Sequence, residues 1–166
     1  MEKDEFCMYI EQYQNDMFRF AKSIVGNSVD GEDAVQEAVF RAYQKVDTLR
    51  SKDKFKAWIF RILSRECYKI LNKRDRRYLT ETGELPEQMV TNETVEENGG
   101  IWDQLEQIPQ KYREVMILYY GEEFSVWEIA KILRIPTGTV KSRLARGRNE
   151  LRKRLEGRGC DYAKQI

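Results

Sequence analysis

Gly138-Thr139-Val140-Lys141-Ser142-Arg143-Leu144, set behind Ser125-Val126-Trp127-Glu128-Ile129-Ala130, reads as two short helices joined by a tight turn. Ser125 can cap the free N–H groups of the first turn while Glu128, three residues on, reaches back to the cap's own N–H, a complete capping box. Trp127 or Ile129, with Ala130 and Leu133, supplies an inward face, and the small Ala130 stands where a second helix must come close. Pro136 stops the first helix and presets the backbone for the next. In that second helix Val140, Leu144, Leu151 and Leu155 recur at helical spacing and are expected inside. Thr139, Lys141, Ser142, Arg143 and Arg146 are then left to face a partner.

The partner is suggested by charge and by side-chain length. Thr137 to Arg158 holds eight Lys or Arg against two Glu. Short polar residues near a helix N-terminus reach base edges and Arg or Lys engages guanine or phosphate, so the unit has the design of a major-groove reader. Two residues depart from the common pattern. Arg134 stands where many helix-turn-helix units have Gly, and Gly147 lies inside the helix at a cost of about 1 kcal/mol relative to Ala.

Working outward, Asp4 to Val25 places Phe6, Ile10, Tyr13, Met17, Phe20 or Ala21, and Ile24 three or four apart, with Gly26 where a helix would end. A second helix is expected from Asp30, running through Val35, Ala38, Val39, Ala42 and Val46, with Asp33 favouring the positive end of its dipole. Phe55 to Asn72 makes a third, with Trp58 or Ile59, Ile62, Leu63, Ile70 and Leu71 as its apolar positions. From Tyr78 to Gly100 the helical period vanishes; Glu81 to Asn98 holds six Glu and no Lys or Arg. That stretch, with Pro86 and Asn98-Gly99-Gly100, reads as a flexible acidic linker. Helices then resume at Trp102 to Gln107 and after Pro109, where Tyr112, Val115, Met116 and Tyr119 lead to Gly121. No segment alternates as a half-buried strand does, so the fold class is all-α: two small helical domains joined by the linker, the C-terminal one a helix-turn-helix.

The 166 residues and 41% hydrophobic content suffice for a small core in each domain. The net charge of +1 conceals opposite fields, because Arg61 to Arg77 carries seven basic and two acidic residues. There is no histidine, and the three cysteines, Cys7, Cys67 and Cys160, are far apart. This argues against a zinc site, a disulfide framework and the usual general base of a hydrolase, and no cofactor or metal is expected. Cys7 and Cys67 read as packed thiols and Cys160 as an exposed one. The N-terminus lacks a secretory pattern and no apolar run approaches membrane-spanning length, so a cytosolic chain without membrane insertion is expected.

Two further constellations stand out. With Val35, Ala38, Ala42 and Val46 inward, Asp33, Gln36, Glu37 and Phe40 share the outer face, an apolar anchor beside charges that would steer a basic partner. In the third helix Arg61, Arg65, Lys69 and Lys73 fall at i, i+4 spacing, a cationic stripe that can follow phosphates, extended by Arg74, Arg76 and Arg77. Glu66, within that run, is expected to repel phosphate. Just before it, Arg50-Ser51-Lys52-Asp53-Lys54 is a polar loop able to hold an unstacked base.

Asp30-Gly31-Glu32-Asp33-Ala34-Val35-Gln36-Glu37, Trp58-Ile59-Phe60-Arg61-Ile62, Leu105 through Pro109 with Tyr112 and Arg113, and the Gly138–Leu144 run occur in an order and spacing that resembles bacterial RNA polymerase sigma factors of the extracytoplasmic-function group. The resemblance implies a sigma region 2-like domain over 1–77, a linker over 78–100 and a sigma region 4-like helix-turn-helix domain over 101–166. It further implies that Asp33, Gln36, Glu37 and Phe40 dock on the clamp helices of the largest catalytic subunit of core RNA polymerase. Arg50, Ser51, Lys52 and Lys54 would take a flipped base of the minus-ten element, and Arg61, Arg65, Lys69 and Lys73 its backbone. Thr139, Lys141, Ser142, Arg143 and Arg146 would read the minus-thirty-five element of promoter DNA. Members are often held inactive by an anti-sigma protein and perform no enzymatic chemistry on a small-molecule substrate. Many have Asn where Glu66 stands and Asp where Ile70 stands. The competing readings are a free-standing DNA-binding regulator whose N-terminal domain dimerises or senses a signal, which leaves the acidic stripe and the second basic helix without work, and an all-helical adaptor with no nucleic-acid role, which the two basic helices disfavour.

Overall fold

The N-terminal helix α1 spans Lys3–Val25 and stops where Gly26 turns to φ 86°, its N–H bonded to the Lys22 carbonyl at 2.8 Å. Glycine takes that left-handed cap without steric cost. The structure, a computed structural model, describes residues 1–83 and 101–157; the acidic stretch 84–100 and the tail with Cys160 lie outside the described residues. The described residues contain helices and turns and no strand. The chain divides into two compact units, Met1–Thr91 and Asn92–Ile166.

Helix α2, Ser28–Gln44, begins two residues before Asp30 because Asn27 is its cap: the Asn27 side chain accepts from the Asp30 N–H at 2.8 Å and donates to the Asp30 carboxylate at 2.9 Å. Its buried stripe is Gly31, Ala34, Ala38 and Ala42, so the expected inward positions Val35 and Val46 give way to smaller neighbours. The reason is close approach to α1. A Cβ on Gly31 would stand 3.2 Å from the Lys22 nitrogen and 3.3 Å from its Cα. Val46 lies instead in a short 3₁₀ turn, Val46–Thr48, followed by a second at Lys52–Lys54.

Helix α3 runs Phe55–Thr82, ten residues past the Asn72 end that the apolar period suggests and into the stretch read as linker, until Gly83 at φ 73° caps it. Its N-terminal half buries Phe55, Ile59, Phe60 and Leu63, as α1 buries Met17 and Phe20, side chains worth about 1.5–3 kcal/mol each when fully removed from water. Aromatic rings bind α1 to α3: Tyr9 stacks on Phe55 at 4.8 Å and Phe20 meets Phe60 at 5.5 Å. Cys67 is buried, as a packed thiol should be, whereas Cys7 is exposed on the far side of α1, contrary to expectation.

In the second unit α4 (Ile101–Glu106) and α5 (Gln110–Met116) meet at Pro109, and α5 widens into a π turn over Ile117–Gly121. The turn closes with Glu122 N–H on Ile117 O at 3.0 Å and Phe124 N–H on Leu118 O at 3.0 Å. Helices α6 (Val126–Leu133) and α7 (Thr137–Glu156) complete it. Arg113, whose guanidinium is drawn below its ordinary pKa by burial, donates to the Glu106 and Ile108 carbonyls where α4 ends. Arg154 fastens the end of α7 to Gln107 at 2.9 and 3.1 Å.

Candidate nucleic-acid and docking interfaces

The capping box of α6 is complete: Ser125 Oγ accepts from the Glu128 N–H at 3.2 Å and the Glu128 carboxylate accepts from the Ser125 N–H at 2.9 Å. Ile129 and Ile132 are the buried positions, so the inward choice falls on Ile129; Trp127 points outward, 61% exposed, with Lys131 Nζ 3.3 Å from its ring centre. Arg134 ends the helix in the left-handed region at φ 56°, ψ 46°, where the sequence pattern expects glycine. That conformation costs an L-residue about 1–2 kcal/mol. Pro136 then leads directly into α7, whose Val140, Leu144, Leu151 and Leu155 are buried as the spacing requires.

On α7, Lys141, Ser142 and Arg146 are exposed and Thr139 is half-buried. Ser142 Oγ donates to the Thr139 carbonyl at 3.0 Å. Arg146 donates to the Tyr112 hydroxyl, which lowers the Tyr112 pKa. Arg143 differs from its neighbours. Its side chain is 26% exposed, and its Nη1 lies 3.3 Å from the carboxylate of Glu114, which is 1% exposed. Gln110 Nε2 donates to the other oxygen of Glu114 at 3.0 Å.

The glycine that weakens α7 intrinsically has a packing reason. A Cβ on Gly147 would come within 2.5 Å of the Met116 sulfur and 3.4 Å of the Tyr112 Cβ, so its absence lets α5 and α7 touch. That contact brings Glu114 under Arg143. A signal for the buried acid was present in the sequence: Glu114 precedes Leu118 by four residues and so shares its inward face, but without a known counter-charge an acid reads as surface.

On α2, Asp33 and Gln36 are exposed and Phe40 is 58% exposed, so the outer face that the sequence suggests exists although the inner one is shifted. Tyr43, 48% exposed and three residues past Phe40, extends the aromatic part of this face and was missed. Glu37 pairs with Arg41 at 2.8 Å, and Arg41 also lies 3.1 Å from Glu66. Lys69 donates to the same Glu66 oxygen at 2.8 Å. Glu66 is therefore an interior acid, its side chain 6% exposed and neutralised by two cations, not a surface charge facing phosphate.

The cationic stripe of α3 divides accordingly. Arg61 and Lys73 are exposed, Arg65 is half-buried, and Lys69 leans on Glu66. Arg74 leaves the stripe: it donates to the Val25 carbonyl at 2.9 Å and pairs with Asp30, locking the end of α1 and the start of α2 to α3. In the loop Arg50, Lys52 and Lys54 are exposed and Ser51 half-buried. Ser51 donates to the Asp53 carboxylate. Lys52 reaches Glu5 of α1 at 2.6 Å, which raises the Lys52 pKa.

Among the described residues no helix is long and apolar enough to cross a membrane. Sigma-70 region 2 matches residues 9–77 and Sigma-70, region 4 matches residues 99–151. The chain is 32% identical to ECF RNA polymerase sigma factor SigW of Bacillus subtilis, covering 93% of this chain and 90% of that one. It is 31% identical to the RNA polymerase sigma-E factor of Streptomyces coelicolor, covering 95% and 89%. Among solved structures it is similar to the sigma factor RpoE of Bartonella quintana in complex with the anti-sigma factor NepR, with a TM-score of 0.76 and 28% identity over 92% of this chain and 97% of that one. CnrH in complex with the cytosolic domain of CnrY shares the fold, with a TM-score of 0.66 and 20% identity over 94% and 90%. The capped helix-turn-helix, the acidic face of α2 and the basic α3 thus lie within matched regions, and the chain belongs to the extracytoplasmic-function sigma factors, non-enzymatic proteins that bring core RNA polymerase to promoter DNA and start transcription there.

Proposed function

We propose a division of labour within this sigma factor. Asp33, Gln36, Glu37 and Phe40, joined by Tyr43, dock on core RNA polymerase, Phe40 and Tyr43 as apolar anchors and the acids as steering charges. The loop Arg50, Ser51, Lys52 and Lys54 holds an unstacked base of the minus-ten element. Arg61, Arg65, Lys69 and Lys73 follow its backbone. The Lys52–Glu5 pair does not oppose this role, because an exposed ion pair is worth little and exchanges readily for phosphate. Thr139, Lys141, Ser142, Arg143 and Arg146 enter the major groove of the minus-thirty-five element. The observation that carries the reading is the capped α6, tight turn and basic α7, with Lys141, Ser142 and Arg146 turned to solvent on one helix.

Strand opening in this scheme follows from trapping an extruded base, without nucleotide hydrolysis. The protein acts in the cytosol, where polymerase and promoter meet. The anti-sigma factor NepR bound in the similar RpoE structure supports an anti-sigma partner here as well. Run-off transcription with core polymerase on fragmented genomic DNA, followed by sequencing of the transcripts, tests the proposal. Adding the chain should produce transcripts from a shared pair of upstream elements; unchanged transcription would refute it.

A further inference from the structure

Among the arginines of the recognition helix, Arg143 is paired with a buried carboxylate. Glu114 is 1% exposed, and an ionised carboxylate at that depth is stable only with a counter-charge and hydrogen bonds to its lone pairs. Arg143 supplies the charge at 3.3 Å on one oxygen, and Gln110 supplies a donor at 3.0 Å on the other. Were Arg143 to swing out toward a phosphate, Glu114 would keep the Gln110 hydrogen bond and the field of Arg113 but lose the ion pair from α7. Lys141 is exposed and carries no such restraint. Arg143 is therefore held from α5 through Nη1, with its side chain 26% exposed.

We propose that Glu114 is a positioning residue for promoter recognition: it fixes the Arg143 guanidinium so that it meets a base edge in one orientation and cannot relax onto phosphate. The inference rests on the reading that α7 enters the major groove. A preset guanidinium orders fewer rotors on binding, and it discriminates because a bidentate contact tolerates little rotation. Gly147 belongs to the same seam, since a Cβ there would displace the Met116 side chain of α5.

Glutamine at 114 tests this with minimal change of shape. The two oxygens of Glu114 accept from different donors, whereas Gln offers one oxygen and one NH₂, so either the Arg143 or the Gln110 bond is lost and the charge is lost with it. The experiment uses holoenzyme assembled from core polymerase and the full chain, and a promoter recovered by the transcription assay with its upstream element randomised. Bound DNA is sequenced, giving an enrichment for each base at each position.

R143A should flatten the profile at one or two adjacent positions. E114Q should weaken enrichment at those same positions by roughly 2- to 12-fold, the range for freeing one rotamer-rich side chain, and leave the others intact. E114Q combined with R143A should match R143A alone. A wild-type profile retained by both E114Q and E114L overturns the role of Glu114, as does an equal loss at every position, which is what simple destabilisation produces. If E114L does not fold, E114Q decides. A wild-type chain with no base preference anywhere in the element defeats the reading of α7 itself, and is thereby distinguishable from failure of Glu114.

Discussion

Glu66→Gln separates two incompatible accounts of an acid inside a basic helix. On the sequence alone Glu66 repels phosphate, and removing a charge about 4 Å from a phosphate in water relieves about 1 kcal/mol, roughly a fivefold gain in DNA affinity, with stability changed by less than about 0.5 kcal/mol. The structure sets its side chain at 6% exposure, 3.1 Å from Arg41 and 2.8 Å from Lys69. Hydrogen bonds to a buried charge contribute about 1.5–3 kcal/mol, but Arg41 and Lys69 are 39% and 57% exposed, so solvent screening trims the figure to about 1–2 kcal/mol. For a unit of this size that is a fall in midpoint of about 5–15 °C. DNA affinity, measured well below the midpoint, should change less than about twofold because a neutralised charge is being removed. Far-UV circular dichroism gives the midpoint, and native-state hydrogen exchange should place the loss in the amides of α2 and α3. Unchanged melting together with a severalfold gain in DNA binding would refute the buried assignment.

Arg134→Gly should stabilise the second unit by about 0.5–1 kcal/mol, the left-handed strain relieved minus the extra freedom of glycine in the unfolded chain; a urea titration that shows a loss would mean Arg134 makes a contact worth more than its strain. Gly147→Val should cost at least about 1–3 kcal/mol through overpacking against Met116, visible as a lower melting midpoint, and a neutral result would mean that α5 and α7 part freely. Glu37→Lys should weaken core polymerase binding far more than DNA binding, measured separately by pull-down and by gel shift of holoenzyme; equal losses would contradict the division of labour. The Asp30 carboxyl is held below its ordinary value of 3.8 by the Asn27 side chain and by Arg74, against some desolvation. A depressed folded value contributes stability that is present above about pH 4 and lost as pH falls through the folded pKa, and Arg74→Ala should shrink that acid dependence in a pH series of melts.

The features legible in the sequence are those decided within a few residues. Ser125, Glu128 and Pro136 act through neighbouring backbone, so the helix-turn-helix could be drawn before any packing was known. The signal for the end of α3 was Gly83, but the apolar period fades after Leu71 and polar residues continue the helix to its cap, so periodicity stopped too soon. The inner face of α2 was shifted because hydrophobicity ranks Val35 above Ala34 and Gly31. The α1 backbone at Lys22, 3.2 Å from a Cβ built on Gly31, demands the reverse order. Glu66 and Glu114 read as surface for a different reason: each is met in the interior by a cation from another helix, and neither Arg41 nor Arg143 is adjacent in sequence.

Glu66 and Glu114 share a logic that bears on function. In each unit the helix proposed to touch DNA is tied to a neighbour by a carboxylate–arginine pair, Glu66 of α3 with Arg41 of α2, and Glu114 of α5 with Arg143 of α7. Apolar seams of alanine and leucine tolerate small slides between helices with little change in buried area. A paired carboxylate at a few per cent exposure tolerates them less, because a slide of even a few ångströms separates the buried charge from its arginine on the other helix. These pairs add less to stability than hydrophobic side chains of equal volume would. What they secure is register, and the proposed presentation of Arg61 and Lys73 to one promoter element and of Lys141, Arg143 and Arg146 to another requires helices at one rotation and one height.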